Sequence, residues 1–493
     1  MSDVVWVVRK FRPDVIVTRF TESGPSHGHH TASAQLARAA FEAAARPGRF
    51  PEHLRHGVTP WAPHRLMLNV PRWRNSTDDV SGYLALDVGG YDARLGVSYG
   101  EIAAMSRTNH KSQGFGSSGR RGPIMEYFDN LAGPEPQTDL LDGVVVDWQR
   151  FEGGKKVIDA LDAAHRAFDV EQPEKIVPHL MKARAALQVI AKKRPVPRVH
   201  ERLADIDAAI AHALGLHTRA TAERAEVTAN DGVNVDLDII LRRPAELRLN
   251  TVVWPDHTDN ASRLVELHTP LELKHTITVP RTQPPSVAHW LREPLTADNY
   301  SVLEPRQVAD PENPPPLSVM LDFTLNGQKW SWSVPIDYGR TDPVLGERRQ
   351  PLLVVPPLTV SPTAKIALFA GGETAAVTVT VRAGRDGAEG TVHLNAPRTW
   401  KSVPAAATVK LDKRGDEKTL RFMVTPPSAD AAPAKVQPYV KVGDSKYSLR
   451  LDTIDYPHLP VQAVYRPAQI RLVPIDFKAP SVRVGYIPGP GDT

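Results

Sequence analysis

The sequence predicts a multidomain chain of mixed class: an α/β region, a helical segment, then two antiparallel β-sandwiches. Three observations carry this. Residues 1–140 alternate apolar runs of strand length with helical stripes. Residues 150–226 hold apolar residues at spacings of three and four, the period of helices. From Val227 the apolar period changes to two, the period of half-buried strands. A length of 493 residues accommodates these units as three or four domains of ~150 residues each.

The α/β region opens with a helix over Asp3 to Phe11, whose Val4, Val7, Val8 and Phe11 form one apolar face. Val15 to Phe20 follows as a strand. Thr31 to Ala45 is an Ala-rich helix with Leu36, Ala40 and Phe41 at helical spacing. Leu66 to Val70 is strand-like, and Val97 to His110 is a helix with Ile102, Ala103 and Met105 apolar. The loop Gly114-Phe115-Gly116-Ser117-Ser118-Gly119 lacks a strand–GxGxxG–helix context, which excludes a phosphate-binding loop.

In the helical segment, Lys155 to Phe168 forms one helix after Gly154. Pro173 opens another, with Ile176, Leu180, Ala183, Leu187 and Ile190 as its stripe, and Pro195 and Pro197 break it. Leu203, Ile206, Ile210 and Leu214 form a third stripe, ended by Gly215. These stripes are packing faces.

The first sandwich spans residues 227–355. Val233 to Ile239 alternates strictly, and Leu247 to Trp254, Leu271 to Ile277, Leu317 to Leu325 and Trp330 to Val334 behave similarly. Pro356-Pro357 reads as a linker to a second sandwich over 356–456. Its strands are Ile366 to Phe369, Ala376 to Val381, Leu420 to Val424 and Tyr439 to Val442. The Thr-Val-Thr-Val strand, the acidic-Gly turns and Thr425-Pro426-Pro427-Ser428 resemble small immunoglobulin-like modules of bacterial carbohydrate-active enzymes. In residues 457–493, Ile470 to Pro474 and Val482 to Ile487 are strand-like. The latter runs into Gly489-Pro490-Gly491, which predicts the start of a further α/β domain cut at this end.

Composition narrows function. Pro makes up 45 of 493 residues, about 9% against a usual ~5%, and the excess after residue 240 fits short strands joined by turns. The net charge is +4, with no dense Lys/Arg run interleaved with aromatics, so nucleic-acid binding is not supported. No apolar stretch approaches ~18 residues, so no membrane span is expected. The absence of Cys excludes disulfides and thiolate metal sites. No secretory signal is visible. The compartment stays open, with an extracytoplasmic one expected for a full-length parent.

The chemistry-bearing stretch is Ser26-His27-Gly28-His29-His30-Thr31-Ala32-Ser33-Ala34, in the loop between the Val15 strand and the Ala-rich helix. In an open α/β sheet such a loop lies at the carboxyl end of a strand, where ligands bind. Neutral imidazole is the commonest side-chain ligand for metals such as zinc. His27 and His30 are three positions apart, so at a helix start both can face one point. A catalytic zinc takes about three protein ligands plus water, and this cluster supplies one or two. A polar surface loop rich in His is the plainer reading of these residues taken alone.

The order of basic helix, Arg-Pro-Asp-Val-Ile-Val strand, Gly24-Pro25, His-x-x-His and Ala-rich helix resembles the GlcNAc-PI de-N-acetylase (PIG-L/LmbE-like) family of zinc-dependent N-deacetylases. Pro60-Trp61-Ala62-Pro63-His64-Arg65-Leu66 and Ser106-Arg107-Thr108-Asn109-His110-Lys111-Ser112-Gln113 extend the likeness over about residues 1–130. The resemblance implies a partial Rossmann-like fold, with His30 as zinc ligand and His27 as the histidine that polarises the scissile amide. It implies an N-acetylated sugar or sugar-like amine as substrate. The family's His-Pro-Asp-His reads His27-Gly28-His29-His30 here, so its Asp has no counterpart. The family's Ala-His-Pro-Asp-Asp-Glu motif, source of the other two ligands and the general base, has no counterpart either. Asp78-Asp79 has no adjacent His, and His257-Thr258-Asp259 lies in β-like sequence. The expectation is therefore a deacetylase fragment, cut at both ends and beginning inside a helix, inactive alone.

A second reading is a non-catalytic carbohydrate-binding or adhesion protein with a deacetylase remnant. It would use Trp254, Trp290, Trp330 and Trp332, of which Trp330 and Trp332 share a strand face. Inward core positions are the plainer expectation for that pair. His110 is expected to end a helix and bond local carbonyls. His53, His56 and His64 are expected to be ordinary loop residues.

Overall fold

A computed structural model describes residues 1–24, 27–70, 79–194, 196–296, 299–456, 458–476, 483, 485–487 and 489. It is a mixed α/β chain built mostly of β-sheet with several helices, and it divides into two compact units. One comprises Met1–Ala213 with Glu304–Ala309; the other comprises Leu214–Leu303 with Asp310–Thr493. Among the described residues no helix is long and apolar enough to cross a membrane.

In the first unit, α1 (Ser2–Phe11) ends where Arg12 enters the left-handed region at φ 56° and returns its N–H to the Val8 carbonyl. Strands β1 (Val15–Thr18), β2 (Arg65–Asn69), β3 (Leu84–Asp87) and β4 (Met125–Ala132) form one sheet in the order β1-β2-β4-β3. β1 and β2 pair in parallel, Val15 opposite Arg65, and the other two pairings are antiparallel. A parallel pair needs a crossover, and α2 (Gly28–Ala45) provides it. Val5 and Val8 of α1 pack on Ala40, Ala43 and Ala44 of α2. α3 (Tyr99–Thr108) starts at a reciprocal capping box, Ser98 with Glu101.

Helices α4 (Gly154–Ala167), α5 (Val177–Lys193) and α6 (Pro197–Ala213) complete this unit. Leu180, Ala183, Leu187 and Ile190 of the predicted stripe are buried, as are Ile206 and Ile210. Pro197 opens α6, where its missing N–H costs nothing. Arg184 Nε donates to Asp207 Oδ1 at 2.6 Å, joining α5 to α6.

The second unit begins with a sheet of β5 (His217–Ala222), β6 (Gly232–Ile240), β7 (Leu247–Val253), β8 (Thr258–Leu264), β9 (Leu271–Thr278), β10 (Ser318–Leu325), β11 (Gln328–Asp342) and β12 (Gly346–Pro351). Its order is β8-β7-β10-β11-β5-β6-β9, with β12 on β11. Period-two patterning becomes burial directly: Val233, Val235, Leu237 and Ile239 of β6 are fully buried, and so are Val319, Leu321 and Leu325 of β10. β11 is long enough to pair with β10 over its first half and with β5 and β12 further on.

Residues 358–475 enclose a second core. The strands Leu358–Pro362, Ala375–Ala383, Glu417–Thr425 and Lys401–Val403 form one sheet, and Ala407–Leu411, Ala388–His393, Tyr439–Val442 and Ser445–Tyr447 another. Val377, Val379 and Val381 from the first meet Val392, Val409 and Val440 from the second.

The structure departs from the sequence reading in three places. The chain turns to strand at His217, ahead of the change of period at Val227, because β5 carries small Ala220 and Ala222 at its inward positions and gives a weak alternation. The Val482 to Ile487 strand expected to open a further α/β domain falls partly outside the described residues, and Ile470–Ile475, expected beside it, belongs with the second core. It pairs in parallel with Ile366–Ala370, and Ile470 and Leu472 are buried in the second core. His53 is no ordinary loop residue: it is 4% exposed, for reasons given below. Pro25, Ser26, Asn75 to Asp78, Pro195, Val482, Val484, Pro490 and Gly491, which also figured in that reading, lie outside the described residues.

Candidate functional site

The His cluster sits where β1 hands over to α2. His27 occupies the position before the helix, with extended backbone (φ −62°, ψ 147°), and its carbonyl accepts from the His30 and Thr31 amides at 2.9 and 3.2 Å. Its side chain makes no capping bond and is left for other partners. One turn on, the His30 ring lies on the Phe20 ring, centroids 3.8 Å apart and planes within 6°. The His27 and His30 rings meet edge to face at 5.5 Å. His29 is exposed. Glu22 pins the loop, taking Arg38 as an ion pair while its carbonyl accepts from Gln35 Nε2 at 2.9 Å.

Zinc at this point requires about three donors. Among the described residues no third His, Asp or Glu gathers with His27 and His30. Among the described residues, His27 and His30 alone fall short of that number.

The remaining sequence candidates fall elsewhere. His110 precedes the short turn Lys111–Gln113, is exposed, and its N–H returns to the Arg107 carbonyl at 3.0 Å. Trp330 is 1% exposed and stacks on Phe323 at 5.6 Å, and Trp332 Nε1 donates to Thr218 Oγ1 at 2.9 Å. Both rings face inward. Trp254 is buried as well. Trp290 is half-buried against His289. None of the four is an open platform for a sugar ring.

His53 belongs to a buried polar knot. The Arg9 side chain, fully buried, donates to the carbonyls of Ala44 (3.1 Å), Phe50 (3.0 Å), Arg46 (2.8 Å) and Arg49 (2.7 Å). A cation among the carbonyls that end α2 meets the negative pole of the helix. His53 Nδ1 lies 3.3 Å from Arg9 Nη1, and its Nε2 lies 2.9 Å from Ser2 Oγ. Burial, reinforced by Arg9, holds the His53 imidazole below its ordinary pKa.

A cleft of about 490 Å³ opens beside α3, lined in part by Asp87, Ser98, Glu101 and Arg121. Its carboxylates are already engaged. Asp87 accepts from the Gly89 and Ile124 amides, and Glu101 takes Ser98 and Arg121.

A different set of metal-ligand side chains gathers in the second unit: Asp256, His257 and His275, whose donor atoms lie within 4.8 Å of one another. The sequence signal for it is weak: His257-Thr258-Asp259 lies in β-like sequence, and His275 stands on a separate strand. Hydrogen bonding of its ring to the Asp256 and Asp259 carboxylates raises the His257 pKa.

The sequence matches no family model and no curated protein. Solved structures that share local likeness with it include three of differing kinds. One is a protein of unknown function from Porphyromonas gingivalis W83, 14% identical, covering 52% of this chain and 99% of that one at a TM-score of 0.14. Another is Pseudomonas fluorescens alkylpurine DNA glycosylase AlkC bound to DNA containing an abasic site analog, 10% identical over 33% of this chain and 50% of that one, TM-score 0.14. The third is Salmonella alpha-2-macroglobulin reacted with methylamine, 13% identical over 52% of this chain and 16% of that one, TM-score 0.17. Likenesses at these scores carry no argument about function.

Proposed function

We propose that residues 1–140 are part of a zinc-dependent N-deacetylase domain of the GlcNAc-PI de-N-acetylase (PIG-L/LmbE-like) kind, acting on an N-acetylated sugar or sugar-like amine. The observation that carries the reading is the placement of His27 and His30 one turn apart at the start of α2, beyond the carboxyl end of β1, with rings 5.5 Å apart. The parallel β1–β2 pair with α2 as crossover supports the Rossmann-like part of it. In this reading His30 is the metal ligand, and His27 donates to the oxyanion that forms at the scissile amide. Phe20 fixes the plane of the His30 ring by stacking on it.

The reading requires further donors from a segment carrying the family's Ala-His-Pro-Asp-Asp-Glu motif. No hydrolytic step is assigned to this chain alone. The second sandwich, in this proposal, is an immunoglobulin-like appended module. The test is acetate release from an N-acetylglucosaminide by this chain fused at Met1 to such a segment.

A further inference from the structure

We infer that Asp256, His257 and His275 form a binding site for a single zinc ion that braces the two edge strands of the first β-sheet of the second unit. The site lies apart from the His27–His30 loop in sequence and uses none of its residues.

β8 and β9 are the two ends of the strand order β8-β7-β10-β11-β5-β6-β9. The β7–β8 hairpin turns through Trp254-Pro255-Asp256-His257, closed by the Trp254 amide on the His257 carbonyl at 2.8 Å. Pro followed by Asp suits the centre of such a tight turn. The turn reaches the far edge, because the Thr278 amide at the end of β9 donates to Asp256 Oδ2 at 2.7 Å. His275, also on β9, rises beside it, its ring 4.1 Å from that of His257.

The two donor separations from Asp256 fit the edges of a tetrahedral site. Ligand atoms ~2.0–2.1 Å from a four-coordinate zinc stand ~3.4 Å apart along the tetrahedron's edge. Asp256 Oδ1 lies 3.4 Å from His257 Nδ1 and 3.5 Å from His275 Nε2. The first is a long, weak hydrogen bond and the second lies beyond one, and both match that edge. Two imidazoles and one carboxylate suit zinc and leave a fourth position for water.

The outer contacts aim each donor inward. The Thr278 amide engages Asp256 Oδ2, which leaves Oδ1 turned toward the histidines. His257 Nε2 pairs with Asp259 Oδ1 at 3.0 Å. A carboxylate on the far ring nitrogen fixes the tautomer with the proton there, so Nδ1 offers its lone pair. Asp259 is held in turn by Trp254 Nε1, 2.9 Å from Oδ2. His275 Nε2 is buried and has no hydrogen-bond partner. A buried ring nitrogen in that condition calls for a partner, and a metal ion supplies one.

The test is calorimetric titration of the chelator-treated full chain with zinc chloride. One saturable zinc per chain is expected. His257→Ala and His275→Ala should each abolish that binding. Asp259→Asn, which removes only the outer carboxylate, should weaken it ~10–100-fold. His30→Ala should leave it unchanged. His257 lies exposed in a turn, so its alanine variant reports on the site even if His275→Ala misfolds. No saturable zinc in the unsubstituted chain, or undiminished binding in His257→Ala, would overturn the assignment.

Discussion

Asp259 stands 3.0 Å from His257 on the β8 strand and shares its second oxygen with the Trp254 indole. This carboxylate–imidazole pair lies at the β7–β8 turn, whose Asp256 reaches β9 at the opposite end of the strand order. The β7–β8 hairpin and β9 are thereby linked through side chains as well as through the Thr278 amide. Zinc that binds the folded chain alone stabilises it by mass action. At zinc ~100-fold above its dissociation constant, the gain is about 2.7 kcal/mol. Thermal unfolding followed by circular dichroism should show the melting temperature of the second unit rise with added zinc, and show no rise in His257→Ala.

Arg9 should be the costliest polar residue of the first unit to remove. Arg9→Met keeps much of the volume but removes the charged donor shared by the carbonyls of Ala44, Arg46, Arg49 and Phe50, of which Ala44, Arg46 and Phe50 still accept from the Trp61, Arg49 and His53 amides. Each hydrogen bond from a charged group contributes about 1.5–3 kcal/mol, and the substitution removes several at once. A loss of at least about 3 kcal/mol in urea denaturation is expected, and a loss below 1 kcal/mol would show that the carbonyls find other donors.

The His53 imidazole is held below its ordinary pKa by burial and by Arg9. The folded chain thus binds this proton less readily than the unfolded chain. Its contribution to stability is complete above the unfolded pKa of about 6.5 and declines as pH falls below that value toward the folded pKa. Melting temperatures from pH 7.5 downward should fall more steeply in the unsubstituted chain than in His53→Gln. Parallel profiles would contradict the assignment.

Trp330→Ala should cost about 3–5 kcal/mol, the usual penalty for emptying a large aromatic site in a core. Trp330 and Phe323 stack in the core beneath the eight-stranded sheet, so the loss belongs to folding and not to ligand binding. Chemical denaturation measures it; a stable Trp330→Ala variant with lost glycan binding would restore the platform reading.

Much of the fold was legible because the core is written in local periods. Val233, Val235, Leu237 and Ile239 alternate in sequence and are all buried in β6. The α2 crossover was legible from Ala40 and its neighbours, and the His27–His30 loop from the strand before it. What escaped is set by contacts between distant segments. His53 is buried because Arg9, from another helix, organises the carbonyls around it. Asp256 and His275 meet because the sheet brings its edges together, which no spacing records. The local signal available was Trp254-Pro255-Asp256-His257, a tight-turn sequence carrying two potential ligands.

Acetate release by the chain fused at Met1 to an Ala-His-Pro-Asp-Asp-Glu segment tests the deacetylase reading most directly. The substrate is an N-acetylglucosaminide, and a His257→Ala background removes the proposed zinc site of the second unit from the readout. The expected result is zinc-dependent acetate release that His30→Ala abolishes together with the bound metal. His27→Ala should retain most metal yet lose ~10²–10³ in turnover, the usual effect of deleting one oxyanion donor. His29→Ala should do little. A folded fusion that releases no acetate, or one whose activity is the same in His30→Ala, would contradict the reading.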